Sequence, residues 1–596
     1  MGNTACGGKR GVVKQTITCG GARNITQVVT CTGGRSIEEE ETIKLFTAPG
    51  KDFPRTYDPL TYTESIESSF SPLNQAIFLL ASPYHYDRIV GALMVDELTD
   101  DAVCTGMFFW ILHLRYCRTT DYSDLAKSIQ SKNKEWMGIP KPIKEHMDGK
   151  IKPPVDVEEN SSGAEYKILL DILIVRAQGS WSVFHSLYFC LKSETSYNGD
   201  VPSEGALLAE AMIDKLLTAM ENGGHTDMVK KLESQESVIK KMVEIYKKHK
   251  KKKIGATTLN RLLKEDVEMW KGLEGEWYPI GSHGKITGVI VDAIHVYPSS
   301  CYPVKVQFKI DPNQSEKKKS APPEFGTVPT DFTKGLIFKC GDDLRQDNFV
   351  MGFCKLVYEI LKNAGVDVII NTYEVVALDQ DAGAVEEVAG AMSIRSIRDT
   401  YSNWAVDYLE GSLQENMDAT MDKLVRSCAG SSLFSYILGI GDRHLDNIMM
   451  TKGGIIFQVD FGYILGKDPH VHKYKPPKIR LDECVVHALG GASSKYFKRM
   501  EALCLRGFIA LRRASSILIR AIYHLRHSNL PSMIDGSKFE TRIKRIKKLL
   551  MWRGQSLPEG ENSAILRFQD ILDDSRQHIV QPLVEVLHVI STNLNL

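Results

Sequence analysis

The chain has 596 residues, and its 74 lysines and arginines are balanced by 74 aspartates and glutamates. With 43% hydrophobic and 25% charged residues it has an ordinary globular composition, which excludes a collagen-like, disulfide-dense or wholly disordered protein. The balanced charge argues against nucleic acid as a partner, because nucleic-acid binding usually shows as a basic excess. At about 150 residues per domain, the length alone predicts about four domains.

The cysteines and the apolar runs concern the cellular compartment. Twelve cysteines are scattered along the chain without a Cys-x-x-Cys pair or zinc-finger spacing, which is typical of a reducing, cytoplasmic environment. No apolar run approaches the roughly 20 residues that cross a bilayer. We therefore predict a cytoplasmic protein that reaches any membrane from the cytosolic side, as a peripheral protein.

The first 225 residues divide into two predicted parts. Residues 1–55 are polar and rich in Gly and Thr, which predicts a disordered tail. Residues 56–225 contain apolar-rich segments of helical length, such as "AEYKILLDILIVRAQ", and predict a helical domain. Within it, the Lys-, Pro- and Ser-rich stretch over 131–163 is typical of an exposed loop.

From about residue 275 the pattern changes to strands. The runs "CYPVKVQFKI" and "KGLIFKCG" are short and β-branched, whereas helical patterns dominate again after Asp347. A β-rich lobe followed by a helical lobe predicts an α+β enzyme with a cleft between two lobes. We place the catalytic domain at 226–596, with an N-lobe over about 270–390 and a C-lobe over about 391–596.

Three segments carry residues suited to catalysis. They are "IFKCGDDLRQD" at 337–347, "ILGIGDRHLDNIM" at 437–449 and "IIFQVDFGYILG" at 455–466. A lysine ends the first strand, an acid, a base and an amide share the second segment, and an acid ends the last strand. Neither a P-loop nor a dinucleotide-binding glycine motif is present, so neither of those phosphate sites is predicted.

The order of these residues matches the needs of phosphoryl transfer. That reaction requires a cation on the phosphates, two oxygen ligands for Mg²⁺ and a group that accepts the proton of the attacking hydroxyl. Lys339 suits the phosphates, Asn447 and Asp460 suit the metal, and either His444 or Asp442 suits the proton transfer. Asp and Asn are also common in turns, but three such segments in this order favour the catalytic interpretation.

The same segments resemble a known family. "GDDLRQD", "GIGDRHLDNIM" and "VDFGYILGKDP" closely resemble the catalytic core of the phosphatidylinositol 3-/4-kinase superfamily, and "SLYFCLKSE" at 186–194 is similar to the closing helix of its accessory domain. The resemblance implies a kinase-like catalytic domain with a β-rich N-lobe and a helical C-lobe. It also implies an α-helical, solenoid-like accessory domain before them.

The activation segment "DFGYILGKDPHVHKYKPPKIRL" is most similar to that of the class III members of the superfamily, which are phosphatidylinositol 3-kinases. The resemblance therefore implies transfer of the ATP γ-phosphate to the inositol 3-hydroxyl of phosphatidylinositol, in membrane trafficking on endosomal or other cytosol-facing membranes. The segment is more basic than the class III pattern, and each added phosphate on a substrate calls for added Lys or Arg. A 4-kinase, or a 3-kinase acting on phosphorylated phosphoinositides, is the alternative.

The resemblance also implies roles for individual residues, together with ATP and Mg²⁺ or Mn²⁺ as cofactors. Asp347 is implied as the carboxylate partner of Lys339, and Asn447 and Asp460 as metal ligands. The implied ATP-binding residues are Ser299, Ser300, Lys305, Lys339, Asp347, Tyr373 and Val388. The implied catalytic residues are Asp442, Arg443 and His444. The implied substrate-binding residues of the activation loop are Lys467, Lys473, Lys475, Lys478 and Arg480.

The N-terminus and the family suggest how the chain meets its partners. "MGNTAC" resembles a myristoylation signal with Gly2 as the acceptor, although Cys6 stands where Ser or Thr is usual. Cys6 is then a candidate for palmitoylation, and two acyl chains would anchor the protein stably. An unmodified tail is the alternative. The resemblance further implies peripheral contact with a phosphatidylinositol-containing membrane and a regulatory subunit.

Overall fold

A computed structural model describes most of the chain between residues 71 and 577 and two strands near the N-terminus. The described residues are 12–19, 23–30, 71–81, 85–116, 164–196, 204–250, 254–281, 283–299, 301–311, 332–469, 478–525, 528, 530, 532, 539–551 and 559–577. Several predictions lie outside them: the 131–163 loop, both acylation candidates and three of the implied site residues. These are Gly2, Cys6, Ser300, Lys473 and Lys475.

Two strands fall in the predicted N-terminal tail. β1 (Val12–Cys19) and β2 (Arg23–Thr30) pair antiparallel, with Val12 opposite Thr30. The structure therefore differs here from the disordered tail that the sequence predicted. β-branched residues dominate both strands, and this local strand propensity was outweighed in the prediction by the polar composition of the whole segment.

The described residues between 72 and 271 are mainly helical. Ser180 separates two of them, and its hydroxyl caps the second by accepting a hydrogen bond from the amide of Val183 (3.4 Å). The helices are α1 (Pro72–Leu80), α2 (His85–Met94), α3 (Asp100–Tyr116), α4 (Ala164–Gly179), α5 (Trp181–Lys192), α6 (Glu204–Asn222), α7 (Thr226–His249), α8 (Ala256–Glu265) and α9 (Val267–Lys271). Neighbours in sequence pack together, α1 on α2, α4 on α5 and α5 on α6.

A six-stranded antiparallel sheet follows, at the position predicted for the N-lobe. Its order is β3-β5-β6-β8-β7, with β4 joined to β5. Alternate residues of β5 are buried, which gives the sheet one apolar face. Its strands are β3 (Ile286–Val289), β4 (His295–Val296), β5 (Val304–Ile310), β6 (Phe332–Cys340), β7 (Val375–Ala377) and β8 (Ala382–Glu386).

One helix, α10 (Arg345–Asn363), connects the sheet with the preceding helical segment. It packs on β7 of the sheet and on α3 of the helical segment. At the latter contact the ring of Phe349 meets the edge of Phe109 at 5.3 Å between ring centres. Its first residues, Arg345 to Asp347, are buried although they are polar. A buried polar start of a helix requires partners, and these belong to the site described below.

The C-lobe is mainly helical, as predicted. A small antiparallel sheet, ordered β11-β10-β9, lies at its start. The long helix α12 is kinked at Asn416, whose φ and ψ of −157° and 90° are not helical. The elements are β9 (Ala391–Ser393), α11 (Ile394–Thr400), α12 (Trp404–Leu438), β10 (Ile448–Thr451), β11 (Ile456–Gln458), α13 (Glu483–Ala488), α14 (Lys495–Arg513), α15 (Ser515–Tyr523), α16 (Phe539–Met551) and α17 (Glu559–Gln577). None of the described helices is both long and apolar enough to cross a bilayer.

A buried histidine at the end of α15 predicts acid sensitivity. The ring of His524 lies 6.1 Å from that of Phe109, and burial lowers its pKa from 6.5 to about 3. Between these values the unfolded chain binds a proton that the folded chain does not. The stabilising contribution is thus complete above about pH 6.5 and is lost as the pH falls toward 3, by about 1.4 kcal/mol per pH unit. His524→Phe should flatten the decrease in urea-unfolding free energy between pH 6.5 and 4.5, whereas His225→Phe at a helix N-terminus should not.

Candidate active site

Lys339 stands one residue before the end of β6 and forms the centre of the candidate site. It is only 9% exposed, and its backbone lies opposite Gly383 of β8. Its Nζ donates to Oδ2 of Asp342 at 2.8 Å. The sequence predicted Asp347 as the partner, but the direct contact is made by Asp342, in the tight turn that follows the strand.

Three carboxylates share the charge of this lysine. Burial alone would lower the pKa of Lys339, but Asp460, Asp347 and Asp342 together hold it well above its ordinary value. Burial raises the pKa of Asp347 to about 7, and the charges of Asp342 and Asp460 add to this effect against the opposing effect of Lys339. One cation among three acids leaves excess negative charge, which is favourable for binding a further cation.

The loop before β10 carries the predicted catalytic residues. Gly439 ends α12 in the left-handed conformation, and Asp442 has a positive φ of 55° although it has a side chain. The amide of Asp442 donates to Oδ2 of Asp468 at 3.0 Å, which holds this strained turn in place. Nε2 of His444 lies 4.0 Å from Oδ2 of Asp442, so the acid and the base are neighbours.

Asn447 closes this loop with its amide group. Its Nδ2 donates to the backbone oxygen of Asp442 at 3.0 Å and bonds Nε2 of His444 at 3.1 Å. Both contacts use the nitrogen of the amide, so the oxygen Oδ1 remains available to coordinate a metal ion. The same loop then enters β10, which pairs with β11, the strand that ends shortly before Asp460.

Arg443 ties the loop to the end of β11. The buried guanidinium donates to the backbone oxygens of Gly441 (2.8 Å), Val459 (2.8 Å) and Asp460, and more weakly to that of Asn447 (3.4 Å). Burial lowers its pKa, although the neighbouring carboxylates oppose the shift. Its donors are directed at backbone carbonyls, so the geometry gives Arg443 the task of fixing the loop.

Asp460 lies just after β11 with an exposed side chain and a φ of 59°. Its Oδ1 accepts from the amide of Gly462 at 3.3 Å. Desolvation by the surrounding protein would raise the pKa of Asp460. The positive charges of Lys339 and Arg443 outweigh this effect and keep the pKa below its ordinary value. The carboxyl group is therefore ionised at neutral pH and faces the same cluster as Lys339.

The backbone after Asp460 is held by a residue of α10. Nε2 of Gln346 donates to the oxygen of Phe461 at 2.6 Å, and its Oε1 accepts from the amide of Ser532 at 2.9 Å. The hydroxyl of Ser532 also bonds the oxygen of Gly462 at 3.3 Å. The start of α10 thus connects the loop after β6 with the loop after β11.

The predicted ATP-binding residues fall around the same lobe, with differing contacts. Ser299 is exposed, and two residues further on Sγ of Cys301 donates to the oxygen of Gly341 at 3.1 Å, which brings this loop to the turn after Lys339. Lys305 forms an ion pair with Glu387 at 2.5 Å.

Tyr373 and Val388 are the residues implied for the adenine pocket. Tyr373 is buried against the edge of Phe457 at 6.4 Å between ring centres. Burial raises its pKa far above 10, and the charge of Asp347 adds to the shift, so Tyr373 lies close to the lysine cluster. Val388 is half-buried just after β8, and its oxygen accepts from the amide of Ala391 at 3.2 Å.

The described part of the activation loop is split between two places. Lys467 follows Gly466, whose amide donates to the oxygen of Gly439 at 2.8 Å beneath the catalytic loop. Lys478 lines a separate cavity, next to Arg545. Arg480 is half-buried beside it in sequence. The structure therefore does not bring these three residues together at the lysine cluster.

Comparisons with known proteins agree with this geometry. The family model of phosphatidylinositol 3- and 4-kinases matches residues 333–411 and 407–533, which include Lys339, the catalytic loop and Asp460. Over these residues the chain is similar to the phosphatidylinositol 3- and 4-kinase family. Its matched domain is kinase-like, with a sheet region and mainly helical remainder, and the family uses ATP and a divalent metal ion.

Three relatives show how far the similarity extends along the chain. It is 29% identical over 460 residues, 74% of this chain, to phosphatidylinositol 3-kinase VPS34 of Saccharomyces cerevisiae. It is 30% identical over 316 residues, 52% of the chain, to the nodule isoform of phosphatidylinositol 3-kinase of Glycine max. For VPS34 of Arabidopsis thaliana the identity is 30% over 314 residues, again 52%. The alignments span 48%, 35% and 35% of the three relatives' own lengths.

The site residues fit the divalent metal that the family uses. Among the described residues no group of three or more His, Cys, Asp and Glu forms a metal cluster. Asn447 and Asp460 offer one amide oxygen and one ionised carboxylate, and Mg²⁺ is often held by few protein ligands together with nucleotide phosphates. A site completed by the nucleotide is consistent with this small donor set.

Sequence reasoning missed one group of residues that supports the site. Arg345 pairs with Asp343 at 2.6 Å and with Glu194 of the helical segment at 3.0 Å, and the side chains of Arg345 and Glu194 are each 1% exposed. Glu194 stands in the segment "SLYFCLKSE" and Arg345 in "GDDLRQD". Their pairing across 151 residues had no signal in either segment alone.

Proposed function

We propose that the chain is a phosphatidylinositol 3-kinase that transfers the γ-phosphate of ATP to the 3-hydroxyl of phosphatidylinositol. The observation that carries this proposal is the electrostatic cluster of Lys339, Asp342, Asp347 and Asp460 beside the catalytic loop. Two segments distant in sequence form it, a third supplies the catalytic loop, and each of the three carries one part that phosphoryl transfer needs. The names of the relatives support the choice of lipid and of hydroxyl.

The nucleotide is held between the lobes in this proposal. Lys339 keeps its charge in the buried cluster and offers it to the ATP phosphates, while the loops at Ser299 and Ser300 supply hydroxyl and amide donors. Lys305, Tyr373 and Val388 are assigned to the nucleotide pocket. Lys305 would act there as a partner of Glu387, which holds the segment after β8 against the sheet.

The metal site is assigned to Oδ1 of Asn447 and the carboxylate of Asp460. Bound Mg²⁺ or Mn²⁺ supplies positive charge that neutralises the transferring phosphate. The bonds of the Asn447 amide nitrogen to Asp442 and His444 fix the direction of its oxygen, so the chain itself orients this ligand. Asp347 remains behind Lys339 as a second buried carboxylate.

Proton transfer is assigned to Asp442 and His444. The inositol hydroxyl must lose a proton as the phosphate arrives, and a base within hydrogen-bond reach accepts it. Nε2 of His444 and the carboxylate of Asp442 are 4.0 Å apart, so either group is placed to accept the proton and the other to stabilise the resulting charge. Arg443 acts on this pair only by positioning their loop.

Arg443→Gln tests this positioning role. The variant removes most of the hydrogen bonds that join the catalytic loop to Val459 and Asp460, so we expect kcat to fall by about 10²-fold with a small change in KM for ATP. Steady-state kinetics on phosphatidylinositol vesicles measures both values. A raised KM with unchanged kcat would show instead that the guanidinium binds the nucleotide. Arg506→Gln on α14, which also loses a hydrogen bond to a backbone oxygen, that of Gly365, is the matched control.

The remaining assignments concern the parts around the catalytic domain. We assign residues 56–225 to a solenoid-like accessory domain, which the pairwise packing of α1 to α6 supports, and 226–596 to the catalytic domain.

The tail, with Gly2 and Cys6, is proposed as a membrane anchor, and a regulatory subunit as a partner. The basic residues Lys467, Lys473, Lys475 and Arg480 are assigned to the lipid headgroup, whereas Lys478 lines the separate cavity of the C-lobe. Labelling with a myristate analogue tests the anchor, and Gly2→Ala should abolish it.

The choice of substrate is tested with a panel of lipids. Vesicles containing phosphatidylinositol or its phosphorylated forms are incubated with radiolabelled ATP, and the product headgroups are separated by chromatography. We expect the highest kcat/KM on phosphatidylinositol, with 3-phosphate as the product. Preference for a phosphorylated lipid would agree with the basic activation loop and support the alternative 3-kinase. A 4-phosphate product would overturn the proposal.

A further inference from the structure

A second cavity, distinct from the nucleotide cleft, lies in the C-lobe among α12, α14, α16 and α17. Its volume is about 420 Å³, within the range of small-ligand sites. Aromatic rings form one wall: Phe508 stacks on Phe568 at 4.4 Å between ring centres, and Tyr436 meets Phe568 edge-on at 5.0 Å. This wall offers an apolar surface to the carbon skeleton of a ligand.

The rest of the lining is strongly cationic. Four basic side chains from three segments line the cavity, namely Lys478, Arg545, Lys548 and Arg567. Burial lowers the pKa of Lys478, and the neighbouring charges of Arg567, Arg545 and Lys548 lower it further, while Asp574 opposes them. Cations that repel one another around a single cavity would be stabilised by a bound anion.

Arg545 is the most telling of these cations. Its Nη1 is buried and has no hydrogen-bond partner among the described residues. A Cβ atom at Gly439 or at Gly466 would collide with this nitrogen, so two glycines make room for the guanidinium. A buried charged donor without an acceptor is costly, and an acceptor that enters the cavity would remove that cost.

We propose that this cavity binds a phosphate-bearing anion of inositol-phosphate size. The two guanidinium groups suit phosphate because their planar donors bind its oxygens in pairs, and the two lysines of the lining add point charges. The aromatic wall suits a cyclohexane ring better than a bare inorganic ion. None of the groups that act electrostatically on Lys339 or Asp460 lines the cavity, so it is separate from the active site.

Binding of inositol trisphosphate by calorimetry tests the proposal. Mg²⁺ and a non-hydrolysable ATP analogue are kept saturating, so that the nucleotide cleft is occupied. We expect saturable binding of one ligand, weakened by added salt, and sodium sulfate at equal ionic strength should not replace it. Arg545→Gln with Arg567→Gln should weaken binding at least about tenfold, whereas Lys544→Gln on the solvent side of α16 should leave it unchanged.

The stability of the variants keeps this test interpretable. Because the four cations repel one another, the double variant should melt no lower than the wild-type protein without ligand, and the ligand-induced rise in its melting temperature should disappear. Vesicles of phosphatidylcholine with phosphatidylinositol 3-phosphate distinguish a lipid headgroup from a soluble ligand. Recruitment to these vesicles that is lost in the double variant points to a lipid headgroup. Binding of the free trisphosphate without recruitment points to a soluble ligand. Absence of both in the wild-type protein, or equal binding by the double variant, overturns the proposal.

Discussion

Asp460→Asn should lower kcat for phosphoryl transfer by about 10³-fold or more, a larger effect than that expected for Arg443→Gln. The change replaces an ionised carboxylate by a neutral amide at the proposed metal site, and a loss of this size corresponds to about 4 kcal/mol in the activation barrier. The backbone contacts of Gln346 and Ser532 hold the loop independently of this side chain, so the fold should persist.

Two further measurements separate loss of metal binding from loss of structure. The Mg²⁺ concentration for half-maximal rate should rise in the variant, while its melting temperature should stay close to that of the wild-type protein. The charge of Asp460 contributes to the raised pKa of Asp347, so Asp460→Asn should also lower the pKa of Asp347. Asp570→Asn, an exposed acid on α17, is the matched control. Full activity of Asp460→Asn would remove this residue from the site.

Arg345→Met should be the most destabilising substitution away from the catalytic loop. It leaves the carboxylates of Glu194 and Asp343 without their cation, and loss of one partner of a buried pair costs about 3–5 kcal/mol. Amide hydrogen exchange in α5 and α10 reports this locally, which is preferable to a single melting temperature in a protein of several units. Met is close to Arg in length and keeps the apolar contacts of its stem.

A double-mutant cycle isolates the contact between the two segments. Glu194→Met should itself be destabilising. The double variant with Arg345→Met should lose less unfolding free energy than the sum of the two single variants, because the second change removes a charge that the first has left unpaired. Arg261→Met, in an exposed pair with Glu265, should be nearly neutral. Additive single effects would show that Glu194 and Arg345 do not depend on one another.

This contact has a consequence for activity. Arg345 is two residues from Asp347 and binds Asp343, the neighbour of Asp342, so it lies in the chain between two of the three carboxylates around Lys339. The helical segment therefore reaches the active site through one buried ion pair. Glu194→Gln keeps the shape and one acceptor of the side chain. We expect its effect on kcat, expressed as a change in activation free energy, to exceed its effect on the free energy of unfolding.

The sequence predicted the parts of the site that mark the ends of elements. Lys339 ends an apolar strand, Asp460 follows another, and Asp442 follows a long helix, so an abrupt change from apolar to polar residues located each of them. The spacing could not decide between Asp342 and Asp347 as the partner of Lys339, since both follow it closely in the chain. Only the tight turn after β6 brings Asp342 into direct contact.

Other features depend on contacts that no local pattern contains. The resemblance implied a catalytic role for Arg443, but its donors are directed at backbone carbonyls of its own loop and of the segment after β11. Lys478 was grouped with the activation loop, and the positions of α16 and α17 place it beside Arg545 instead. The strands over 12–30 were missed because composition was judged over the whole tail.

The position of the phosphate on the lipid product is the most direct test of the proposed activity. Wild-type protein and Asp460→Asn are incubated with radiolabelled ATP, Mg²⁺ and phosphatidylinositol vesicles, and the deacylated products are compared with standards. We predict phosphatidylinositol 3-phosphate from the wild-type protein and at least about a 10³-fold lower yield from the variant. A 4-phosphate, or label found on protein and not on lipid, would contradict the proposed activity.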